Sequence, residues 1–469
     1  MKFVISFLLL PFCTVWSYKS VSRNPYYNLE DRGYERLCSE EFKCVCPHNS
    51  EGKFVDCIQL NLEKLPNNLL FPVNVESINF QGNRIAIINV NTFYNGAGVS
   101  FLDLSFNRLN YISSTAFLGF EKLTHLYLSH NELQSIPVNM LQGLHNLRML
   151  DLSFNKLQTF LSDIFEDTSE LRELKLKFNP LMNLDDISFE HLPMLEKLEL
   201  ESTGLTILPS NLFKYTPNLK TLSLASNFFH EVPSRALQNA EQLQMLDISE
   251  NLIVEVKPND FRGLRNLATL FMNRQRGLIT IREFSFGDLV NLHTLQCSYN
   301  PELMYIDSDA FRKNGSAFAL RLQQLHLRDN ALEYLPHDLL SWNDIPYLDL
   351  RENPWRCDCN LRWMADYHQQ QNFQENIKCA SPSYYENIPV SKLKADDFVC
   401  QKYYFTDSFP ILLIFIASIL IGVSSFISLV IYCVKKVNLR WRATRQSKYS
   451  LIVPKVERID LEWDHSMDP

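Results

Sequence analysis

An asparagine returns every 24 residues in this chain: Asn83, Asn107, Asn131, Asn155, Asn179, Asn227 and Asn251 share one register. Each sits in the frame L-x-x-L-x-L-x-x-N-x-L. The frame reads Leu123, Leu126, Leu128, Asn131, Leu133, then Leu147, Leu150, Leu152, Asn155, Leu157, and later Leu243, Leu246, Ile248, Asn251, Ile253. In an extended segment alternate side chains point to opposite faces, so the paired leucines of L-x-L enter a core while their neighbours face out. One such segment cannot bury its apolar face alone. Stacked copies can, by pairing into one long parallel sheet.

Where each strand ends the chain must turn back, and a buried amide can serve backbone groups that the turn leaves unpaired. Stacked turns would then be joined by a ladder of asparagines. Thr203 and Gln275 replace two rungs, which predicts local irregularity there. Phe93, Phe117, Phe165, Phe189, Phe213 and Phe261 follow the same 24-residue step, with Leu141 and Leu237 between them, and predict an aromatic spine under the sheet. After Gln275 the period loosens to Asn300, Asn330 and Asn353. Twelve repeats run from about Val75 to Asn353. The frame resembles the leucine-rich repeat, which implies an α/β solenoid: a curved parallel β-sheet horseshoe.

The repeats absorb most of the 469 residues into one elongated domain, and the net charge of −8 gives no basic surface for nucleic acid. Residues 1–17 read as a secretory signal, with Lys2, an apolar run from Phe3 to Phe12, and Val15 and Ser17 at a small-residue cleavage spacing. Residues 18–37 form a polar arm of flexible padding. From Phe409 to Val434 the chain carries no charge. Helix over that stretch is roughly 39 Å long, enough to cross a bilayer with tilt. Lys435, Lys436, Arg440, Arg442, Arg445 and Lys448 follow it directly, which puts 435–469 inside as a cytoplasmic tail and the repeats outside, at the plasma membrane in type I orientation.

Eight cysteines bracket the repeats in two groups: Cys38, Cys44, Cys46 and Cys57, then Cys357, Cys359, Cys379 and Cys400. Outside the cell such even clusters read as disulfides and not as zinc sites, with three pairings open to each group. A solenoid needs capped ends, and small caps need staples. The flanks, 38–74 and 354–400, resemble the cysteine-rich caps of extracellular leucine-rich repeat proteins, the second marked by Asn353-Pro354-Trp355 before Cys357-Asp358-Cys359. That resemblance implies the pairs Cys38–Cys46, Cys44–Cys57, Cys357–Cys379 and Cys359–Cys400. Of the rest, Cys13 leaves with the signal, Cys297 fills a core leucine position as an inert thiol, and Cys433 is a palmitoylation candidate at the membrane edge.

No H-E-x-x-H, no G-x-S-x-G and no phosphate-cradling glycine loop occurs among only 13 glycines, so neither an enzyme nor a cofactor is expected. A concave sheet of twelve strands spans roughly 50 Å, the scale of a protein-binding face. Phe101, His125, Tyr127 and Met149 step across three strands of that face and are the ligand-binding candidates. Asp103, Asp151, Asp247 and Asp349 read as a solvated supporting column, and the mixed charges of Glu173, Lys175, Lys177, Lys197, Glu199 and Glu201 as a solubilising patch. Asn314-Gly315-Ser316 is a glycosylation sequon, and Tyr449 with Ile452 resembles a tyrosine-based sorting signal.

The chain resembles single-pass leucine-rich repeat receptors and adhesion proteins. This implies recognition of an extracellular or cell-surface protein, homophilic binding included. Residues 401–408 span at most ~28 Å and would hold the repeats near the membrane. The resemblance also reaches the ectodomain of Toll-like receptors, whose signalling domain the tail is too short to hold, and so implies an innate-immune accessory or decoy as the alternative.

Overall fold

The computed structural model describes residues 35–38, 42–46, 53–72, 74–90, 92–93, 96–313, 322–368, 377–400 and 409–447. The signal segment, most of the polar arm, Asn314, the 401–408 linker, and Tyr449 and Ile452 lie outside them. The chain forms two units, Met1–Cys400 and Gln401–Pro469.

The first unit is a parallel-sheet solenoid. Thirteen three-residue strands pair in chain order, from Phe54–Asp56 to Tyr347–Asp349. Twelve belong to the repeats. The additional first strand comes from within the N-terminal cysteine group, between Cys46 and Cys57, and pairs Val55 with Ile78. Register follows the sequence period: Leu102, Leu126, Leu150, Leu174, Leu198, Leu222, Leu246 and Leu270 are successive partners. It then continues through Leu295, Leu325 and Leu348 despite the irregular spacing there. Extra residues leave through the connections, because a one-residue slip inside a strand would turn its leucines outward.

These leucines are fully or almost fully buried. Each contributes about 1.5–3 kcal/mol by burial. Beneath them the phenylalanine column is buried along its length, with ring centroids 6.1 Å apart at Phe93–Phe117. Phe120 and Phe160 fill in beside it, at 5.2 Å from Phe93 and 6.0 Å from Phe189. Phe286 and Phe311 carry the spine past the regular repeats, with 5.7 Å between Phe261 and Phe286 and 4.9 Å between Phe286 and Phe311.

The asparagine ladder is continuous. Asn155 Nδ2 donates to the carbonyls of Leu128 in the preceding turn (2.9 Å) and of Leu152 in its own (3.0 Å), and its Oδ1 accepts from the Leu133 amide at 3.0 Å. Asn107, Asn131, Asn179, Asn227 and Asn251 repeat the donor geometry. The two altered rungs each keep part of it. Thr203 donates to Leu200 in its own turn at 2.9 Å, whereas Gln275 reaches back to Ile248 at 2.6 Å. The strands on either side keep their register, so the irregularity is confined to the rung.

A second ladder runs along another edge. Asn146, Asn218, Asn266 and Asn291 each donate to a carbonyl of the preceding repeat at 2.8–2.9 Å.

Both ends are stapled. Disulfides join Cys38–Cys46 and Cys44–Cys57 at the start, and Cys357–Cys379 and Cys359–Cys400 at the finish. At the C-terminal end Trp355 is fully buried and donates its indole N–H to the Leu350 carbonyl at 2.9 Å. Trp363, from the short helix Arg362–His368, stacks on Trp342 at 4.3 Å and donates to Leu335. Buried indoles with satisfied N–H groups close the apolar cross-section that a solenoid otherwise exposes.

The described residues of the second unit form one helix, Phe409–Ser447. Its segment Ile416–Val437 is long and apolar enough to cross a membrane. Helix does not stop where the apolar run stops, but continues through Lys435 and Lys436.

Candidate recognition face

Two side chains per strand face out from the sheet, and they build the concave surface in columns. In the first column Phe54, Ser77, Phe101, His125, Met149, Glu173 and Lys197 are successive partners. In the second, Tyr127 lies between Asp103 and Asp151.

Phe101, His125 and Tyr127 come together. The Phe101 ring is 5.1 Å from Tyr127 and 6.2 Å from His125, and all three are half-buried. His125 is held by its neighbour, with Nδ1 2.8 Å from the Thr124 hydroxyl. Burial pushes the Tyr127 phenol up, and the carboxylates of Asp103, Glu173 and Asp151 push it further. The hydroxyl therefore stays protonated. Among the described residues it has no hydrogen-bond partner, so it is a free donor facing out of the sheet.

Met149 departs from the expectation of an exposed contact residue. It is only 6% exposed. Its partners on the flanking strands are His125 on one side and Glu173 on the other, so the thioether lies between two polar side chains. Phe54, which the repeat frame does not include, is by contrast 61% exposed at the start of the same column. The available signal was Phe54-Val55-Asp56-Cys57, which parallels Phe101-Leu102-Asp103-Leu104.

The aspartate column is structural. Asp103, Asp151 and Asp247 accept the amides of Ser105, Ser153 and Ser249 at 2.8–2.9 Å, closing each strand end. Asp349 accepts the Arg351 amide at 3.3 Å and also takes the Arg351 guanidinium on both oxygens, at 2.8 and 2.7 Å. Asp103, Asp151 and Asp349 are buried and not solvated. Burial alone would raise Asp349, but the Arg351 bonds outweigh it and hold its carboxyl below the usual range.

The neighbouring charges form a mutually paired network. Lys197 Nζ lies 2.8 Å from Glu173 and 2.6 Å from Glu199, while Lys177 is 3.0 Å from Glu199 and 3.8 Å from Glu201. Lys175 adds a 3.4 Å pair to Glu173. Burial opposes ionisation of Glu199, yet Lys197 and Lys177 pull its carboxyl below the ordinary value. These cations have their counter-ions beside them, so the patch offers little net field to a ligand.

Elsewhere, Asp163, Glu190 and His191 bring ligand atoms within 4.8 Å of one another. Glu190 there already accepts from Ser162 and pairs with His191. Cys433 is exposed on its helix, whereas Cys297 is fully buried with Asn300 Nδ2 3.3 Å from its sulfur. Burial pushes the Cys297 thiol up to about 12. Iodoacetamide at about pH 8 should therefore leave Cys297 unmodified in the native protein and label it only after unfolding. Peptide mapping reads this, and rapid native labelling would contradict a closed core at Leu295–Asn300.

A leucine rich repeat family model matches residues 73–133, 98–157, 121–181 and 217–276. The human protein Immunoglobulin superfamily member 10 is 32% identical over 92 residues, which are 17% of this chain and 4% of that protein. Among solved structures, the glycosylated Toll–Spatzle complex of Drosophila superposes with a TM-score of 0.53 at 22% identity, over 70% of this chain and 55% of that one. The mouse RP105/MD-1 complex gives 0.54 at 22% identity, over 70% and 58%. The chain thus spans little more than half of either solved structure's chain, and at such identity the likeness is one of fold. With the repeat frame, the unbroken parallel sheet and the disulfide-bonded ends, this chain is a capped solenoid of leucine-rich repeats, and among its described residues one helix is long and apolar enough to cross a membrane.

Proposed function

We propose that this chain is a single-pass cell-surface protein that recognises another protein through the N-terminal third of its concave face, as an adhesion molecule or co-receptor. The observation that carries the reading is the Phe101–Tyr127 pair, with its free phenolic donor beside a charged network that is paired within itself. Aromatic groups with one apolar face and one polar tip are the usual anchors of protein interfaces. The basic residues after the apolar helix favour a type I orientation at the plasma membrane. Cleavage of the signal, glycosylation of Asn314, palmitoylation of Cys433 and sorting through Tyr449 and Ile452 belong to the same reading. The Toll and RP105 structures are complexes with Spatzle and MD-1, and a separate protein ligand is accordingly included.

Full-length protein displayed on non-adherent cells, mixed with cells lacking it, tests the adhesive form. Clumping confined to expressing cells supports homophilic binding, and dispersed cells direct the search to a heterologous ligand. Once a partner is verified, Phe101→Ala with Tyr127→Ala is expected to weaken binding about thirtyfold, the scale of one lost interface anchor. Surface display should persist. Unchanged affinity of a displayed double variant would remove this patch. Met149→Ala serves as the contrast, since a buried thioether lost there reduces stability before it reduces binding.

A further inference from the structure

A second surface lies at the turn where the strands end, outside the concave columns. Phe106, His130, Phe154 and Phe178 occupy the same position in four consecutive repeats, immediately before the ladder asparagines. Their rings form one continuous stack. Centroids are 4.0, 4.0 and 4.2 Å apart, with interplanar angles of 11°, 12° and 13°. The backbone imposes this. Each of the four has φ between 53° and 56°. Each also donates its amide to the carbonyl of the next repeat, of Ser129, Ser153, Lys177 and Glu201, at 2.8–3.0 Å.

Left-handed backbone disfavours bulky residues, and the same turn position is filled by Gly82, Ser202 and Ser226 in other repeats. Three phenylalanines are therefore not required by the fold. Nor are they hidden: Phe106 is 50% exposed and Phe178 is 44% exposed.

Stacking covers the ring faces and leaves the edges in water. Ring edges carry the positive end of the aromatic quadrupole. Two residues further on, past the asparagine, a second column sets Arg84, Arg108 and Lys156 against the single carboxylate of Glu132. Lys156 pairs with Glu132 at 2.9 Å, while the exposed Arg84 and Arg108 side chains have no hydrogen-bond partner among the described residues. At the opposite end the stack stops at Phe178: the next position is Ser202, and among the described residues no further ring lies on the far face.

We propose that this aromatic rail is a docking site for an extended acidic segment of a partner protein bearing one aromatic residue. The partner ring adds a fifth rung on the free face of Phe178. Its carboxylates pair with Arg84 and Arg108. From the partner ring, one spacing beyond Phe178, back to Arg108 is four repeats, roughly 19 Å at the strand spacing, or about six residues of extended chain. The segment is thus an aromatic residue followed about six positions later by an acidic pair.

The probe is a fluorescent peptide with one tyrosine six residues before a Glu-Asp pair, titrated against the full-length protein in lipid nanodiscs and read by anisotropy. Saturable binding that weakens with added salt is expected. Replacement of its tyrosine by alanine, or of its acidic pair by Lys-Lys, should each cost about tenfold or more. Phe154→Ser with Phe178→Ser, the residue used by neighbouring turns, should weaken the original peptide similarly. Arg84→Glu with Arg108→Glu should abolish its binding and restore that of the Lys-Lys peptide, which a merely structural role for these residues cannot produce. No saturable binding would overturn the proposal, and so would binding indifferent to both variant pairs. Binding lost instead with Phe101→Ala and Tyr127→Ala would assign the peptide to the concave face and remove the rail.

Discussion

Asn155→Ala should be among the most damaging single substitutions in the solenoid, costing about 3 kcal/mol of local stability. The side chain is buried and its amide serves four backbone groups, the carbonyls of Leu128, Leu152 and Ser153 and the amide of Leu133. The losses are unequal. Leu128 keeps Asn131 as a donor, and Leu152 keeps Asn179, so those carbonyls stay partly satisfied. The Leu133 amide has no second acceptor among these bonds, and an orphaned buried N–H is the largest part of the penalty. Asn155→Thr should cost nearly as much: a hydroxyl can still donate to its own turn as Thr203 does, but at the Thr203 rung the matching amide, that of Leu181, goes to the Asn179 carbonyl and not to the threonine. Hydrogen exchange of the Leu133 amide checks both: it should accelerate in Asn155→Ala, with smaller changes at distant rungs such as Asn251. Unchanged protection would mean that water serves this turn as well as the ladder does.

Trp355→Ala should cost about 4 kcal/mol, by a different route. The indole is fully buried, donates to Leu350, and lies in the strand Trp355–Arg356 that pairs with Cys379–Ser381 of the C-terminal cap. Truncation leaves a large cavity, and leaves the Leu350 carbonyl with only the Asn353 amide at 3.2 Å, at the end of a stack whose units touch only their neighbours. Loss should therefore be graded along the chain. Exchange protection falls first in the strands Tyr347–Asp349 and Gln324–His326, while Phe101–Asp103 and His125–Tyr127 keep theirs. Equal loss at both ends would show a solenoid that unfolds as one cooperative unit. Stapling sharpens the contrast. Cys357–Cys379 and Cys359–Cys400 hold the cap chain in place, so the variant should fray within an intact covalent frame.

The candidate sites were less legible than the fold. Phe101, His125 and Tyr127 could be placed on one face by strand alternation, because their register follows directly from the 24-residue step. Alternation says which face a side chain occupies but not how far its neighbours cover it, and so it put Met149 at the surface. Phe54 was missed for another reason: its strand lacks the asparagine and the leucine spacing that define a repeat, and joins the sheet only by pairing with Ser77–Asn79. The aromatic rail did leave a trace, in Ser105-Phe106-Asn107, Ser153-Phe154-Asn155 and Lys177-Phe178-Asn179. Its residues lie past the strand, where a period of two no longer assigns a direction. Only the left-handed turn aligns them.

What repeats at fixed spacing was settled by the amino-acid order alone: the parallel register, the leucine core, the phenylalanine spine and the asparagine ladder. Each depends on a residue meeting its counterpart one turn away, and a constant step guarantees that meeting whatever the rest of the chain does. The uncharged 409–434 run is equally local, since length and apolarity suffice for a helix able to cross a membrane. Exposure, ring contact and charge pairing were decided only in three dimensions. They depend on how unlike side chains from successive turns crowd one another at strand spacing, which no period encodes, and there the covered Met149, the paired Lys197 and the stacked Phe154 acquire their separate roles.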